Sequence, residues 1–280
     1  MSASFPDSSI PAPAPRRSRH SLIVVILLVA LGALAWQQLP DGRLHVFFPA
    51  TRGDAMVIVT PRGGLVLVDG GNDPTTLTTA LGRRLPFWRR DLDAVILTRT
   101  ESRFVRGQVA ALERYAPRMA ILPTGRHTST LLREWRRLLE AHRARLVTVE
   151  TTRQLVIDGV MIRFFPTSSG LLVRLDYGGT SVLLAHAIDE AEVDRINGPA
   201  LAPATLVAFP WEYDPRTAFV AALRPAVMVL TDGNESERPA QLSYALRAIG
   251  GATLYHERVD GAIEWVSDGR HWQIHREHLL

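Results

Sequence analysis

Beyond residue 43 the chain alternates short apolar runs with longer stretches in which apolar residues return at helical spacing. Leu44-His45-Val46-Phe47-Phe48 and the run from Ala55 to Val59 predict two strands, and the Pro61-Arg62-Gly63-Gly64 turn leads into a third from Leu65 to Asp69. A helical pattern over 75–84 follows, then an apolar run over 94–97. Amphipathic patterns over 105–115 and 129–143 flank a short strand at 119–122. Farther on, strands are predicted at 171–176, 181–185, 205–209 and 226–230, and near Thr253 and Ala262. Helices are predicted at about 189–196, 215–223 and 240–249.

The second half partly repeats the first. The 171–185 segment with its Gly178-Gly179 turn echoes 56–69 with its Gly63-Gly64 turn. Each half supplies paired strands followed by helices, which predicts two sheets packed face to face with helices outside. The middle strands are apolar on both faces, so they should be covered on both sides. No Pro/Gly-rich linker interrupts the pattern, and residues 41–280 are read as one domain.

The amino terminus differs. Residues 1–20 begin Ser/Pro/Ala-rich, which predicts disorder, and end in a basic cluster of Arg16, Arg17, Arg19 and His20. From Ser21 to Trp36 no charge occurs, and residues 21–38 are read as one transmembrane helix at the short end of the ~17–25 residues that span a bilayer. The basic flank should stay in the cytoplasm. That places the domain on the outer (periplasmic or extracellular) side of a bacterial cytoplasmic membrane, on a single-span anchor. The competing reading is a cleaved signal peptide, with Ala33-Leu34-Ala35 as a small-x-small site.

Composition narrows the chemistry. All 32 basic residues are arginine and 28 acidic residues are spread among them, so the formal charge is only +4. Cysteine is absent, which excludes disulfides, thiolate metal sites and a cysteine nucleophile. The histidines form no spaced pair with a carboxylate partner inside the domain. Thr167-Ser168-Ser169-Gly170 lacks the strand–elbow–helix setting of a nucleophilic serine. Gly63-Gly64 and Gly70-Gly71 lack the Gly-Lys-Ser/Thr of a phosphate loop. Asp54 and Asp69 read as loop-capping residues, and His186, beside Asp189 and Glu190, as a surface residue.

One order of motifs does carry information: Phe47-Phe48, Arg52-Gly53-Asp54-Ala55, Leu67-Val68-Asp69-Gly70-Gly71 and Leu92 to Thr98. Ser181-Val182-Leu183-Leu184, Leu223-Arg224-Pro225-Ala226-Val227 and Asp260-Gly261-Ala262-Ile263 follow. Across nearly all of residues 43–275 this resembles the metallo-β-lactamase-fold domain at the end of ComEC-type competence proteins. The resemblance implies an α/β, αββα four-layer sandwich with two metals activating a water. In such relatives the threonine matching Thr98 is followed by His-x-His-x-Asp-His; here those positions hold Arg99, Glu101, Arg103 and Phe104. The implied bridging Gly-Asp is His186-Ala187. A His-His-Gly-Ser run is replaced by Trp211-Glu212-Tyr213-Asp214, and a final His-Pro by Arg238-Pro239. Arginine does not deprotonate in proteins. A dication ~4 Å from one guanidinium would be repelled by roughly 8 kcal/mol at an effective dielectric near 20.

No cofactor is therefore expected, and a membrane-anchored pseudoenzyme is the leading reading. The resemblance implies a link to DNA uptake, as a partner of a membrane DNA-uptake channel. Two alternatives stay open. One is a phosphodiesterase- or nuclease-type hydrolase with a rebuilt site using His186, Asp189, Glu212 and Asp214. The other is an anion or single-stranded DNA binder using Arg99, Arg103, Arg106 and Arg238 with Trp211 as a stacking platform. Against the last stands a simpler arrangement, in which the arginines pair with Glu101, Glu212 and Glu237.

Overall fold

A computed structural model describes residues 23–26, 39–51, 53–86, 88–125, 129–231, 247 and 249–277. The expected tail at 1–20, most of the expected span at 21–38, Arg238 and most of the helix expected at 240–249 lie outside these residues. Among the described residues no helix is long and apolar enough to cross a membrane. Pro40–Leu280 form one compact unit.

Two sheets carry the domain. The first takes β1 (Leu44–Phe48), β2 (Met56–Val59), β3 (Leu65–Val68), β5 (Ala94–Ile96), β7 (Met119–Pro123), β8 (Arg145–Val149), β16 (Ala262–Ser267) and β17 (Trp272–Glu277), in the order β17-β16-β1-β2-β3-β5-β7-β8. The second runs β15 (Thr253–His256), β14 (Val227–Thr231), β13 (Leu206–Pro210), β12 (Thr180–Leu184), β11 (Leu171–Tyr177), β10 (Val160–Pro166) and β9 (Arg153–Ile157). A small pair, β4 (Asp91–Leu92) and β6 (Ala116–Pro117), lies beside the first.

One core fills the space between the sheets with Val46, Phe48, Ile58, Ile96, Phe164, Val173 and Val229. A second lies between the first sheet and helices α1 (Pro74–Arg84), α2 (Ser102–Leu112) and α3 (Thr130–Ala141). A third lies under the short helices α4 (Glu190–Val193), α5 (Gly198–Leu201) and α6 (Ala218–Leu223). The layers are thus helix, sheet, sheet, helix, as the apolar pattern predicts.

Helix starts follow local chemistry. Asp73 accepts from the amides of Thr75 and Thr76 ahead of Pro74, Ser129 from Leu132, and Thr217 from Val220. The sequence reading assigns no strand or helix between residues 143 and 171, where the structure has β8, β9 and β10. β8 and β9 are edge strands with mostly exposed residues, so no apolar run marks them.

Strands β3, β5 and β7 run parallel, as do β12 to β15, and their carboxyl ends meet at one rim of the sandwich. Close backbone approach fixes this rim. A Cβ on Gly107 of α2 would collide with the Gly70 carbonyl, and one on Gly70 with the backbone of Gly107 and Gln108. Gly107→Ala is expected to destabilise by about 3 kcal/mol, at the upper end of overpacking costs, because the obstacle is backbone. Urea denaturation checks this; a loss under ~0.5 kcal/mol would show that α2 can move away.

Candidate functional site

The rim is closed by a buried network spanning both sheets. Asp69 follows β3 with φ +53°, a conformation that aspartate tolerates better than most residues. Its Oδ1 accepts from the Thr98 amide at 2.8 Å and its Oδ2 from Thr98 Oγ1 at 2.5 Å. From the other sheet, after β12, His186 brings Nε2 to 2.7 Å of the same Oδ2. Thr98 Oγ1 already donates to Asp69, so the imidazole donates through Nε2–H. Both side chains are wholly buried. The expectation of His186 as a surface residue is corrected: it forms half of a buried inter-sheet pair. Asp69 does cap a backbone amide, as expected, and also holds this imidazole.

A second carboxyl, Asp54, lies in the loop between β1 and β2, whose backbone accepts from the Gly71 amide at 2.8 Å. Asp54 is buried, and neither oxygen has a hydrogen bond of good geometry among the described residues. Thr231 Oγ1 lies near enough to favour the ionised form, although it too makes no such bond. Burial pushes the Asp54 carboxyl up, against the opposing pull of His186. Glu257 opens the one-turn helix α7 (Glu257–Asp260) after β15. It is buried, with both oxygens unbonded among the described residues, and burial together with the Asp54 charge holds it well above the usual range. Burial opposes the imidazolium of His186, but the Asp54 charge and the Asp69 bond outweigh it, so this histidine is raised. Burial thus works against the charged form of both Asp54 and Glu257.

Above this layer sits the loop 98–101. The Arg99 guanidinium donates to Glu101 from Nε and Nη2, to Asp189 Oδ1 from Nη1 at 2.7 Å, and to the Ala187 carbonyl at 3.4 Å. Burial would lower its pKa, yet the two carboxylates hold it further above its already high value. Burial alone would raise Glu101, but Arg99 draws it below the usual carboxylate range. The arginine therefore bolts the loop after β5 to the loop after β12. Of the pairings expected from sequence, Arg99–Glu101 is present; the second partner is Asp189, not Glu212.

Phe104 is buried, with its ring centroid 6.3 Å from that of His186 and the Arg103 guanidinium 4.9 Å from it. Arg103 lies within electrostatic reach of Asp54 and His186, whereas Arg106 is exposed on α2. Trp211 does not offer a stacking face. It is buried, one face lies 3.9 Å from the Arg247 guanidinium, and the His256 ring meets it nearly perpendicularly at 5.0 Å. Nor do the residues suggested for a rebuilt site converge. His186 is buried, Asp189 takes Arg99, Glu212 is exposed, and Asp214 pairs with Arg216 on the surface.

The sequence reading also missed Glu192. This residue holds the 167–170 loop by accepting from the amide and hydroxyl of both Ser168 and Ser169. Beside it the Leu171 amide donates to the Thr98 carbonyl at 2.9 Å, a further tie between the sheets. The two serines were the only signal available, since Glu192 is not near them in sequence.

Both Asp69 oxygens and His186 Nε2 are occupied by protein hydrogen bonds, and Arg99 takes Asp189 and Glu101. Among the described residues no three His, Asp or Glu side chains converge so as to hold a metal ion. The described residues do not fit a two-metal centre.

No family model matches the sequence, and no curated protein does. Solved structures match by shape. The metallo-β-lactamase fold protein YhfI from Bacillus subtilis is 12% identical with a TM-score of 0.53, over 77% of this chain and 97% of its own. Zn(2+)-bound PqqB from Methylobacterium extorquens is 15% identical (TM-score 0.49; 72% of this chain, 84% of its own). A diphosphatase of the PhnP family is 11% identical (TM-score 0.49; 76% and 95%). With its four layers and the match to YhfI, this chain has the metallo-β-lactamase fold.

Proposed function

We propose that this protein is a membrane-anchored pseudoenzyme, in which the metallo-β-lactamase fold serves as a binding or assembly module. The observation that carries this reading is Arg99. It occupies the loop where the ComEC resemblance puts the metal ligands, and its two carboxylate partners and the Ala187 carbonyl link the loops after β5 and β12. In a two-metal hydrolase the metals bridge those loops; here a guanidinium and, beneath it, the Asp69–His186 pair do so. The charge-free 21–36 run behind a basic flank supports a place on the bacterial cytoplasmic membrane. The link to DNA uptake rests on the ComEC-like order of motifs alone, since fold does not fix function.

Electrostatics argue against the anion-binding alternative. Arg99 is neutralised by two carboxylates, and Trp211 is covered by Arg247. The full chain, purified in detergent without chelator and then equilibrated with zinc, manganese and iron salts, is expected to retain less than about one metal per chain. Two metals per chain by elemental analysis would overturn the reading. Retention that appeared only in Arg99→Ala would instead support it, by showing that the guanidinium keeps cations out.

A further inference from the structure

We infer that the outward face of α2 and α3 is a docking surface for the phosphate backbone of duplex nucleic acid, held by Arg106, Arg114, Arg133, Arg136, Arg137 and Arg143. Such a partner deepens the reading of the fold as a binding module, on which it rests, but makes no use of the loops of Arg99 and Asp189.

The formal charge of +4 conceals an uneven distribution. Residues 74–145, which supply α1, α2, α3 and the strands between them, hold fifteen arginines and six acids, whereas 146–280 hold eleven and seventeen. Exposure sharpens the contrast. Among the described residues of 74–145, ten arginines are exposed against two acids, Glu113 and Glu140. Beyond residue 145 six arginines and six acids are exposed among the described residues, so no such excess exists there.

The fold gathers these arginines on one surface. Leu112, Leu132, Trp135, Leu138 and Leu139 pack into the core under the helices. Trp135 donates to Gln108 of α2 at 2.9 Å and His142 Nε2 to the Leu112 carbonyl at 2.7 Å, so the two helices lie side by side. The solvent side of α3 then shows Arg133, Arg136 and Arg137, with Arg143 just past its end. That of α2 shows Arg106, with Arg114 just past its end. The row on α3 covers about 15 Å at 1.5 Å per residue, and neighbouring helix axes lie roughly 8–10 Å apart.

Little within the protein explains the gathering. Arg137 pairs with Glu134, and Arg133 donates to Thr130. The guanidiniums of Arg106, Arg114, Arg136 and Arg143 make no hydrogen bond or ion pair among the described residues. Arg133 lies three and four residues before Arg136 and Arg137, a spacing at which like charges weaken a helix. Arg114 and Arg143 suit the negative ends of the two helix dipoles. Arg106 and Arg136, unpaired within their helices, gain nothing comparable.

The rest of the face selects the partner. Among the described residues, none of the exposed large apolar side chains belongs to α2 or α3. A protein partner would need an apolar, aromatic centre to the interface, and a helix lying on lipid would need an apolar flank beside its basic one. Single strands are held by stacking on exposed aromatic rings, which this face lacks. Duplex backbone asks only for well-placed donors, and the guanidinium fork matches phosphate oxygens.

The test compares three forms of the full chain in detergent, binding a 30-base-pair DNA duplex of random sequence. One is the parent. The second carries Arg106→Gln, Arg133→Gln and Arg136→Gln; the third carries the same change of charge elsewhere, Arg195→Gln, Arg224→Gln and Arg270→Gln. Arg16, Arg17 and Arg19 are present in all three and cannot produce a difference. The α2–α3 variant is expected to lose at least about tenfold in affinity near 50 mM salt, with the slope of log affinity against log salt shallower by about 2–3. The third form should stay within about twofold of the parent. Because the replaced residues are exposed and glutamine is a good helix former, thermal unfolding should be unchanged or slightly raised. No binding by the parent at low salt, equal losses in both variants, or tighter binding of a single strand of the same length would overturn the inference. Poly-glutamate that displaced the duplex at equal charge concentration would do so too, by showing that the face answers to any negative polymer. None of these results bears on the pseudoenzyme reading, which stands or falls on metal retention; two metals per chain with duplex binding intact would overturn that reading alone.

Discussion

Replacing His186 with alanine should lower the folding stability of the domain by about 3–5 kcal/mol, the usual cost of removing one partner from a buried pair. For a domain of this size that is roughly 6–20 °C in Tm. The substitution takes away the side chain that joins the end of β12 to Asp69 and leaves the carboxylate buried with only its Thr98 bonds. It also removes the positive charge that opposes the upward push on Asp54. His186→Gln, whose amide can still donate to Asp69, should recover part of the loss. Thermal unfolding followed by circular dichroism measures both. A His186→Ala domain within ~1 kcal/mol of the parent would mean that the inter-sheet pair is incidental, and that Leu171–Thr98 and Arg99 hold the rim without it.

Glu257→Gln should act in the opposite direction, and only at high pH. The folded-state pKa of Glu257 lies above its unfolded value, so the folded protein binds this proton more tightly. Its contribution is fully present below the unfolded pKa, about 4.5, and is lost as pH rises through the folded value. Asp54 and His186, also raised, change stability with the same sign, His186 from pH 6.5 upward. The charged groups acting on Asp54 are His186, Asp69 and Arg103, and Asp54 in turn acts on Glu257. On the acid side the sign reverses. Glu264 is held at about 2 by His45 and Arg84 despite its burial, and the stability it supplies is lost as pH falls toward that value. Stability should therefore peak in mildly acidic solution and decline toward pH 9. Glutamine cannot ionise, so Glu257→Gln should flatten the alkaline decline and raise Tm there by about 3–8 °C, while changing it little near pH 5. An equal loss of Tm at every pH would show instead that glutamine packs badly and that ionisation of Glu257 is not what limits the fold.

How much of this was legible in the sequence depended on the kind of signal. Apolar runs such as Leu65–Val68 and Leu206–Pro210 announce themselves because both faces of those strands are covered. Strands β8 and β9 did not, because an edge strand needs no continuous apolar stripe. At the rim, the motif order led to the expectation that the loop after Thr98 lacks metal ligands, and charge alone suggested that Arg99 would pair with Glu101. Its second partner could not be read, since Asp189 lies 90 residues away and only the fold brings it near. His186 was misjudged for a related reason. Its acidic sequence neighbours suggested a solvated loop, whereas its partner Asp69 is 117 residues distant in the other sheet. Buried polar pairs of this kind are recognised by convergence, and local periodicity carries no trace of it.

The order of strands in the first sheet also governs when the domain can exist. β1 comes first in the chain, yet its neighbour on one side is β16, with Leu44 opposite Ser267 and Phe48 opposite Ile263. Until residues 262–277 have been made, that edge of β1 presents open backbone donors and acceptors, ready to add any strand that passes. The amino-terminal half is therefore not a self-sufficient lobe to which a second was added. A domain whose first strand is completed only by its last hairpin must stay protected while it emerges.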